Sequence, residues 1–189
     1  MIGAIIGDIV GSRFEWDNNK SKDFTFLHPE CFLTDDSYMT LAIGAALLRS
    51  RADFSDLSTQ AVQWMQEIGR AYPDGGYGGR FATWIYEQRP QPYNSFGNGA
   101  AMRVSAVAYV GNSEQQVKQL SHAVTSVTHN HPEGLKGAEA TAMATHLART
   151  GSKLEDIRRY IRRNYYDLNF TLDDIWEDYC FNETCQETV

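Results

Sequence analysis

Thr34-Asp35-Asp36-Ser37-Tyr38-Met39-Thr40-Leu41-Ala42-Ile43-Gly44-Ala45-Ala46-Leu47-Leu48-Arg49 is the stretch whose reading decides the fold. From Ser37 onward it is apolar nearly all round rather than along one stripe, the pattern of a helix at the centre of a bundle. Its first residues are of the opposite kind, a hydroxyl and two adjacent carboxylates. Thr, Asp and Ser are preferred helix N-caps, and acids in a first turn suit the helix dipole, so capping accounts for much of the cluster. Capping needs one side chain, however. Several oxygen groups at the end of a buried helix call for a further partner such as a cation, and hard oxygens suit Mg²⁺, Mn²⁺ or Ca²⁺.

On the N-terminal side, Gly3, Gly7 and Gly11 fall four apart, which on a helix lines them on one face while Ile2, Ile5, Ile6, Ile9 and Val10 cover the rest. Glycine costs helix stability, so this spacing predicts a buried helix closely approached by its neighbours. Residues 12–33, including Asn18-Asn19-Lys20 and His28-Pro29, keep no period and read as a long loop, a frequent place for function. That loop carries Glu15 between Phe14 and Trp16; alone, Glu15 would read as a surface acid.

On the C-terminal side, helix-compatible stretches recur at about 55–70, 78–88, 99–110, 113–127, 133–149, 152–164 and 172–179, with no competing strand pattern. The expected fold is all-α, a compact multi-helix orthogonal bundle forming a single domain over residues 1–189, without repeats or an interdomain linker. Three connectors stand out. In Tyr72 to Gly79, Asp74 holds an ordinary turn position, yet the glycines at 75, 76, 78 and 79 exceed what one turn needs and suggest sharply bent backbone or close approach of a ligand. Gly97-Asn98-Gly99-Ala100-Ala101-Met102-Arg103 follows a loop and opens a helix, so Asn98 reads as a cap and the amides there could cradle a phosphate. Without Gly-Lys-Ser/Thr it is no Walker loop. Thr128-His129-Asn130-His131-Pro132 places two histidines before a proline suited to the first helical position. No acid or cysteine set completes a transition-metal site, so the preferred reading is a capping loop with one imidazole facing a ligand.

The 189 residues give 42% hydrophobic and 22% charged side chains, values that set aside disordered and low-complexity classes. A net charge of −7 opposes binding to a nucleic-acid polymer, though not to a small anion. Cys31, Cys180 and Cys185 form neither a C-x-x-C pair nor a disulfide framework, and no apolar run approaches membrane-spanning length. The expectation is a cytoplasmic protein without a membrane partner.

Taken in order, Gly7-Asp8, Phe14-Glu15, Thr34 to Ser37, Gly97 to Arg103 and Thr128-His129-x-His131-Pro132 resemble the ADP-ribosylglycohydrolase family, of the dinitrogenase-reductase-activating glycohydrolase type, along essentially the whole chain. The resemblance implies a hydrolase acting on the glycosidic bond at C1″ of ADP-ribose, with ADP-ribose or an ADP-ribosylated protein as partner and two Mg²⁺ or Mn²⁺ ions. It implies Thr34, Asp35 and Asp36 as metal ligands and Glu15 as an acid reaching the metals or the scissile ribose. Asp74 is implied as the acid that activates water or assists ring opening. Gly97, Asn98, Gly99, Ala100, Met102 and His129 would hold the phosphates and distal ribose. The family's C-terminal Gly-x-Asp-x-Asp-Ser/Thr motif is absent: Asp173-Asp174 and Asp178 are spaced otherwise, and Thr184 to Val189 resembles the segment that precedes the family's last helices. The expectation is therefore a domain incomplete at its C-terminus, with half the carboxylates and an uncovered apolar surface suited to a homodimer. A non-catalytic ADP-ribose-binding relative and a metal-dependent phosphohydrolase are the alternatives.

Overall fold

The computed structural model describes residues 1–17, 19–180 and 183–188; Asn18 and Val189, which fall in two of the segments singled out above, lie outside them. The helices are α1 (Ile2–Gly11), α2 (Asp35–Arg49), α3 (Leu57–Ala71), α4 (Gly79–Trp84), α5 (Val107–Val110), α6 (Glu114–Thr125), α7 (Pro132–Arg149), α8 (Leu154–Asn164), α9 (Leu172–Ile175) and α10 (Cys185–Thr188). The fold is all-α; among the described residues the only pairing of extended backbone is an isolated antiparallel bridge between Gly97 and Thr184.

Helix α2 is the core helix its sequence predicts. Met39, Ala42, Ile43 and Ala46 are fully buried, and they meet Leu57, Ala61 and Met65 of α3, Val104 and Val107 after the Gly97 loop, and Val117 and Val124 of α6 in one cluster. Burying a Leu, Ile or Met side chain contributes about 1.5–3 kcal/mol, so this cluster is the principal source of stability. Gly44 is required where α1 arrives: a Cβ there would meet the Met1 methyl at 2.6 Å. The most extensive helix pairings are α2 with α3 and α6 with α7. Among the described residues no helix is long and apolar enough to cross a membrane.

The capping residues behave as their chemistry requires. The Thr34 hydroxyl accepts the Asp36 amide at the start of α2, Ser113 does the same for Gln116 in α6, and Pro132 opens α7 with His131 as its cap.

Four expectations are corrected. Helix α1 is formed but not buried: Gly3, Gly7 and Gly11 meet nothing within 4 Å, and Ile2 and Ile6 are exposed. Its main neighbour is α2, so the side chosen for close approach faces open space. The helix expected over 99–110 is two 3-10 turns, Asn98–Ala100 and Val104–Ala106, running into the short α5. Nearly every residue from Ala100 to Ala108 is buried, so packing on both sides sets the backbone rather than helical periodicity. Helix α4 stops at Trp84, whose indole donates to the Gln91 carbonyl and draws the chain into the proline-rich loop. Helix α9 ends at Ile175 instead of continuing to 179 and has no buried residue to hold a longer helix.

Candidate active site

One end of α1, the start of α2 and the loop after α1 form an acidic wall. Asp8 projects from α1 and accepts the Thr34 amide at 3.1 Å, the Thr34 hydroxyl and the Ser37 hydroxyl. It therefore fastens α1 to the N-terminus of α2. Thr34 is spent within the protein: its hydroxyl donates to Asp8 and accepts the Asp36 amide at 3.3 Å. The two carboxylates that follow have hydrogen bonds from backbone amides, and Asp36 one with Thr34, but burial and neighbouring charge outweigh them. Burial, then Asp36 and Glu15, push Asp35 up to about 7; burial, then Asp8 and Glu15, push Asp36 up to about 6. Burial, then Asp8 and Glu183, also raise Glu15. Carboxylates that disfavour one another's charge in a partly buried place create a demand for a cation or a proton.

The facing wall is built by the Gly97 loop and the start of α7. The Gly97 amide donates to Ser95 Oγ at 3.2 Å and the Asn98 amide to the Glu183 carbonyl at 2.8 Å, while the Cys185 amide returns to the Phe96 carbonyl at 3.1 Å. The loop is thus stitched to the 183–185 segment, and its first two amides are occupied by protein. His129 packs against Gly99: a Cβ on Gly99 would lie 3.3 Å from His129 Nε2. Gly134 admits the loop, since a Cβ there would come within 2.6 Å of the Ser95 carbonyl oxygen. Behind His129 lies Arg103, only 1% exposed.

Between the walls is a cavity of about 780 Å³, within the range of small-molecule and cofactor sites. Thr34, Asp35, Asp36, Glu15, Gly97, Asn98, Gly99, Met102 and His129 all line it. Ala100 does not; it is buried beneath the loop. Asp74 is exposed and does not line the cavity. Its glycine-rich loop does reach the cavity, through Gly76, Gly78 and Gly79. Gly76 has φ +89°, a conformation that favours glycine, and lies 3.8 Å from Asp35 Oδ1 measured at the position of a Cβ. Of the two histidines, His131 caps α7 through the Glu133 amide and His129 faces the cavity.

Among the lining residues given no site role from the sequence are Asp8, Arg103 and Glu183. Asp8 had a signal, an acid interrupting an apolar helix. Arg103 closes the Gly-Asn-Gly motif. Glu183 had none, because it reaches the cavity through the long-range bridge to Gly97.

The donor set is suited to a hard divalent cation, since it consists of carboxylate oxygens whose pKa values are raised by burial and then by one another's charge. Its geometry is less complete: among the described residues no three His, Cys, Asp or Glu side chains converge as a metal site. Asp35 and Asp36 are the residues that would hold such an ion, with water completing its shell.

An all-α domain with an acid wall facing a Gly-Asn-Gly loop and an imidazole across a cavity of this size defines a class of small-ligand-binding domain. The chain belongs to the ADP-ribosylglycohydrolase family, whose model matches residues 1–186. It is similar to ADP-ribosylhydrolase ARH3 of Mus musculus, at 30% identity over 181 residues, covering 80% of this chain and 48% of the relative. The Homo sapiens ARH3 is 28% identical over 181 residues, covering 80% and 49%. That of Bos taurus is 29% identical over 211 aligned residues, covering 92% and 56%. The chain spans about half the length of the curated relatives it matches.

Proposed function

We propose that this chain supplies the ADP-ribose cleft of an ADP-ribosyl glycohydrolase that hydrolyses the glycosidic bond at C1″ of an ADP-ribosylated protein or small molecule. The observation that carries this reading is the meeting of Asp35, Asp36 and Glu15 with the Gly97–Met102 loop and His129 across one cavity, in a chain of this family. Two sides of the cleft have different tasks. The loop and His129 bind and orient the diphosphate and its ribose. With the diphosphate on the loop, the acids would take the C1″ ribose across the shared cavity.

Asp35 and Asp36 are the residues that would hold Mg²⁺ or Mn²⁺. A divalent ion, when bound, polarises ribose hydroxyls and lowers the pKa of bound water. Glu15, kept protonated to higher pH than an exposed glutamate, is placed to give a proton to the leaving group and afterwards to take one from water. Asp74, outside the cavity, is not assigned a role in this scheme.

A second reading is favoured by one observation, the absence among the described residues of three converging metal ligands: binding of ADP-ribose without cleavage. The experiment that separates them is release of ADP-ribose from ADP-ribosylated serine and arginine peptides with millimolar Mg²⁺, alongside calorimetry with ADP-ribose. Mg²⁺-dependent release supports the glycohydrolase. Binding that is indifferent to Mg²⁺, with no release, supports the non-catalytic reading; neither binding nor release sinks both.

A further inference from the structure

Arg103 is a fully buried guanidinium with few partners. Its Nη2 donates to Thr128 Oγ1 at 2.7 Å, its Nε has no partner, and among the described residues no carboxylate lies within ion-pair distance. The Phe81 ring lies 5.7 Å away, and Tyr93 and Asp35 favour the guanidinium charge only through space. Burial lowers its pKa to about 10, which leaves it charged at neutral pH. A buried cation that makes so little of its donor set is costly. Its position therefore invites a reason beyond packing.

The reason lies one bond further on. Thr128 is completely buried, and its Oγ1 is 2.8 Å from His129 Nδ1. Arg103 has no acceptor atoms, so the Thr128 oxygen must accept from it. The hydroxyl then has one proton to give and two acceptors in reach: His129 Nδ1 at 2.8 Å and the Thr125 carbonyl at 3.5 Å. The second distance is at the outer limit for an O–H donor, and the first is near optimal. Given to Nδ1, that proton makes Nδ1 an acceptor, and the imidazole's own proton must sit on Nε2. Nε2 is the atom beside Gly99 in the cavity wall.

We propose that Arg103 and Thr128 are positioning residues that fix His129 as its Nε2–H tautomer, so that the cleft presents a hydrogen-bond donor beside Gly99 to an oxygen of the bound ligand. The guanidinium has a second effect. Burial, and then the charge of Arg103, push His129 down to about 3, so the ring stays neutral and keeps one donor and one acceptor. The loop amides of Gly97 and Asn98 are already occupied by protein, which leaves the imidazole a larger share in recognising the ligand.

That the ligand oxygen belongs to ADP-ribose rests on the function proposed above; the tautomer does not. The test is a long-range ¹H–¹⁵N correlation spectrum of the ligand-free protein at neutral pH, with His129 assigned by comparison with His129→Gln. Nε2 carrying the proton and Nδ1 in the unprotonated range is the expected result. A protonated Nδ1, or a ring protonated on both nitrogens, overturns the proposal. Thr128→Val, which keeps the shape and removes the hydroxyl, should let the tautomers mix and weaken ADP-ribose about tenfold, the scale of one lost hydrogen bond. Thr128→Ser should restore both readouts. An Nε2–H ring in a protein that does not bind ADP-ribose would uphold the positioning role and refute the functional reading. A Thr128→Val protein with an unchanged ring spectrum and unchanged affinity would refute the positioning role.

Discussion

The two walls of the cleft are built on opposite principles. On the imidazole side most contacts run within the protein: Arg103 gives to Thr128, Thr128 Oγ1 lies 2.8 Å from His129 Nδ1, and the Gly97 loop is pinned by Ser95 and Glu183, while Arg103 Nε is left unpaired. On the acid side Asp8 and Thr34 are satisfied, but burial and neighbouring negative charge raise the pKa values of Asp35, Asp36 and Glu15. A wall tied largely to itself suits a rigid binding surface. A wall left with surplus negative charge suits an added cation, and the cost of holding it is a standing destabilisation of the free protein.

The largest expected effect breaks the acid wall. Asp35→Asn removes a charge but little volume, and on the proposed function it should reduce Mg²⁺-dependent release of ADP-ribose at least ~100-fold, beyond the 10–100-fold typical of residues that act only through a ligand. Affinity for ADP-ribose itself, measured by calorimetry, should change far less, because the imidazole wall is untouched. Full activity in Asp35→Asn would remove the distinction between the two walls.

Next is a steric test of the other wall. Gly134→Ala places a methyl 2.6 Å from the Ser95 carbonyl oxygen and 3.2 Å from His129 Cβ. Both neighbours are held by the hydrogen-bonded loop, so relief must come from the backbone. Overpacking of this kind costs about 1–3 kcal/mol, and at roughly 2–4 °C per kcal/mol for a domain of this size the melting temperature should fall by several degrees. An unchanged melting temperature would mean that the loop is softer than its hydrogen bonds imply.

What the sequence disclosed about this comparison follows from how local each signal is. The central helix, the Thr34 cap, the proline at the start of α7 and the division of labour between His131 and His129 are all properties of a few consecutive residues, and all are readable. The glycine face of α1 misled because a small-residue stripe shows that close approach is allowed, not that a neighbour arrives. The 3-10 turns around Arg103 escaped because burial on both sides, a tertiary matter, overrides periodicity. Glu183 and the occupied Asn98 amide depend on residues 85 positions apart being brought together, and no local pattern encodes that. The turn chemistry of Asp74 was sound, but the direction in which a glycine-rich loop points its acid is set by the whole fold.

A smaller effect reads the acid wall through pH. Asp35 and Asp36 have folded pKa values raised to about 7 and about 6 from 3.8, so their contribution to stability is present below the unfolded value and lost as pH rises through the folded one. His129 runs the other way: depressed to about 3 from 6.5, it contributes above its unfolded value and loses that contribution as pH falls. Subtracting an Asp35→Asn profile cancels the histidine. The metal-free wild type should therefore lose more thermal stability between pH 5 and pH 8 than Asp35→Asn does. Millimolar Mg²⁺ should recover that loss at pH 8 and do little at pH 5, since cation and protons compete for the same oxygens. Parallel profiles for the two proteins would show that the acids are solvated and not in conflict.

The smallest effect concerns the exposed isoleucines of α1. Ile6 is 42% exposed and the neighbouring glycines meet nothing, so Ile6→Ser should change the monomer's stability by no more than about 0.5 kcal/mol. The check is the melting temperature of Ile6→Ser beside that of the wild type. A large drop in stability would show that α1 packs more closely than its open glycines indicate. Asp8 makes the outcome relevant to the cleft, because the helix that bears the exposed face also fastens Thr34 and Ser37 at the start of α2.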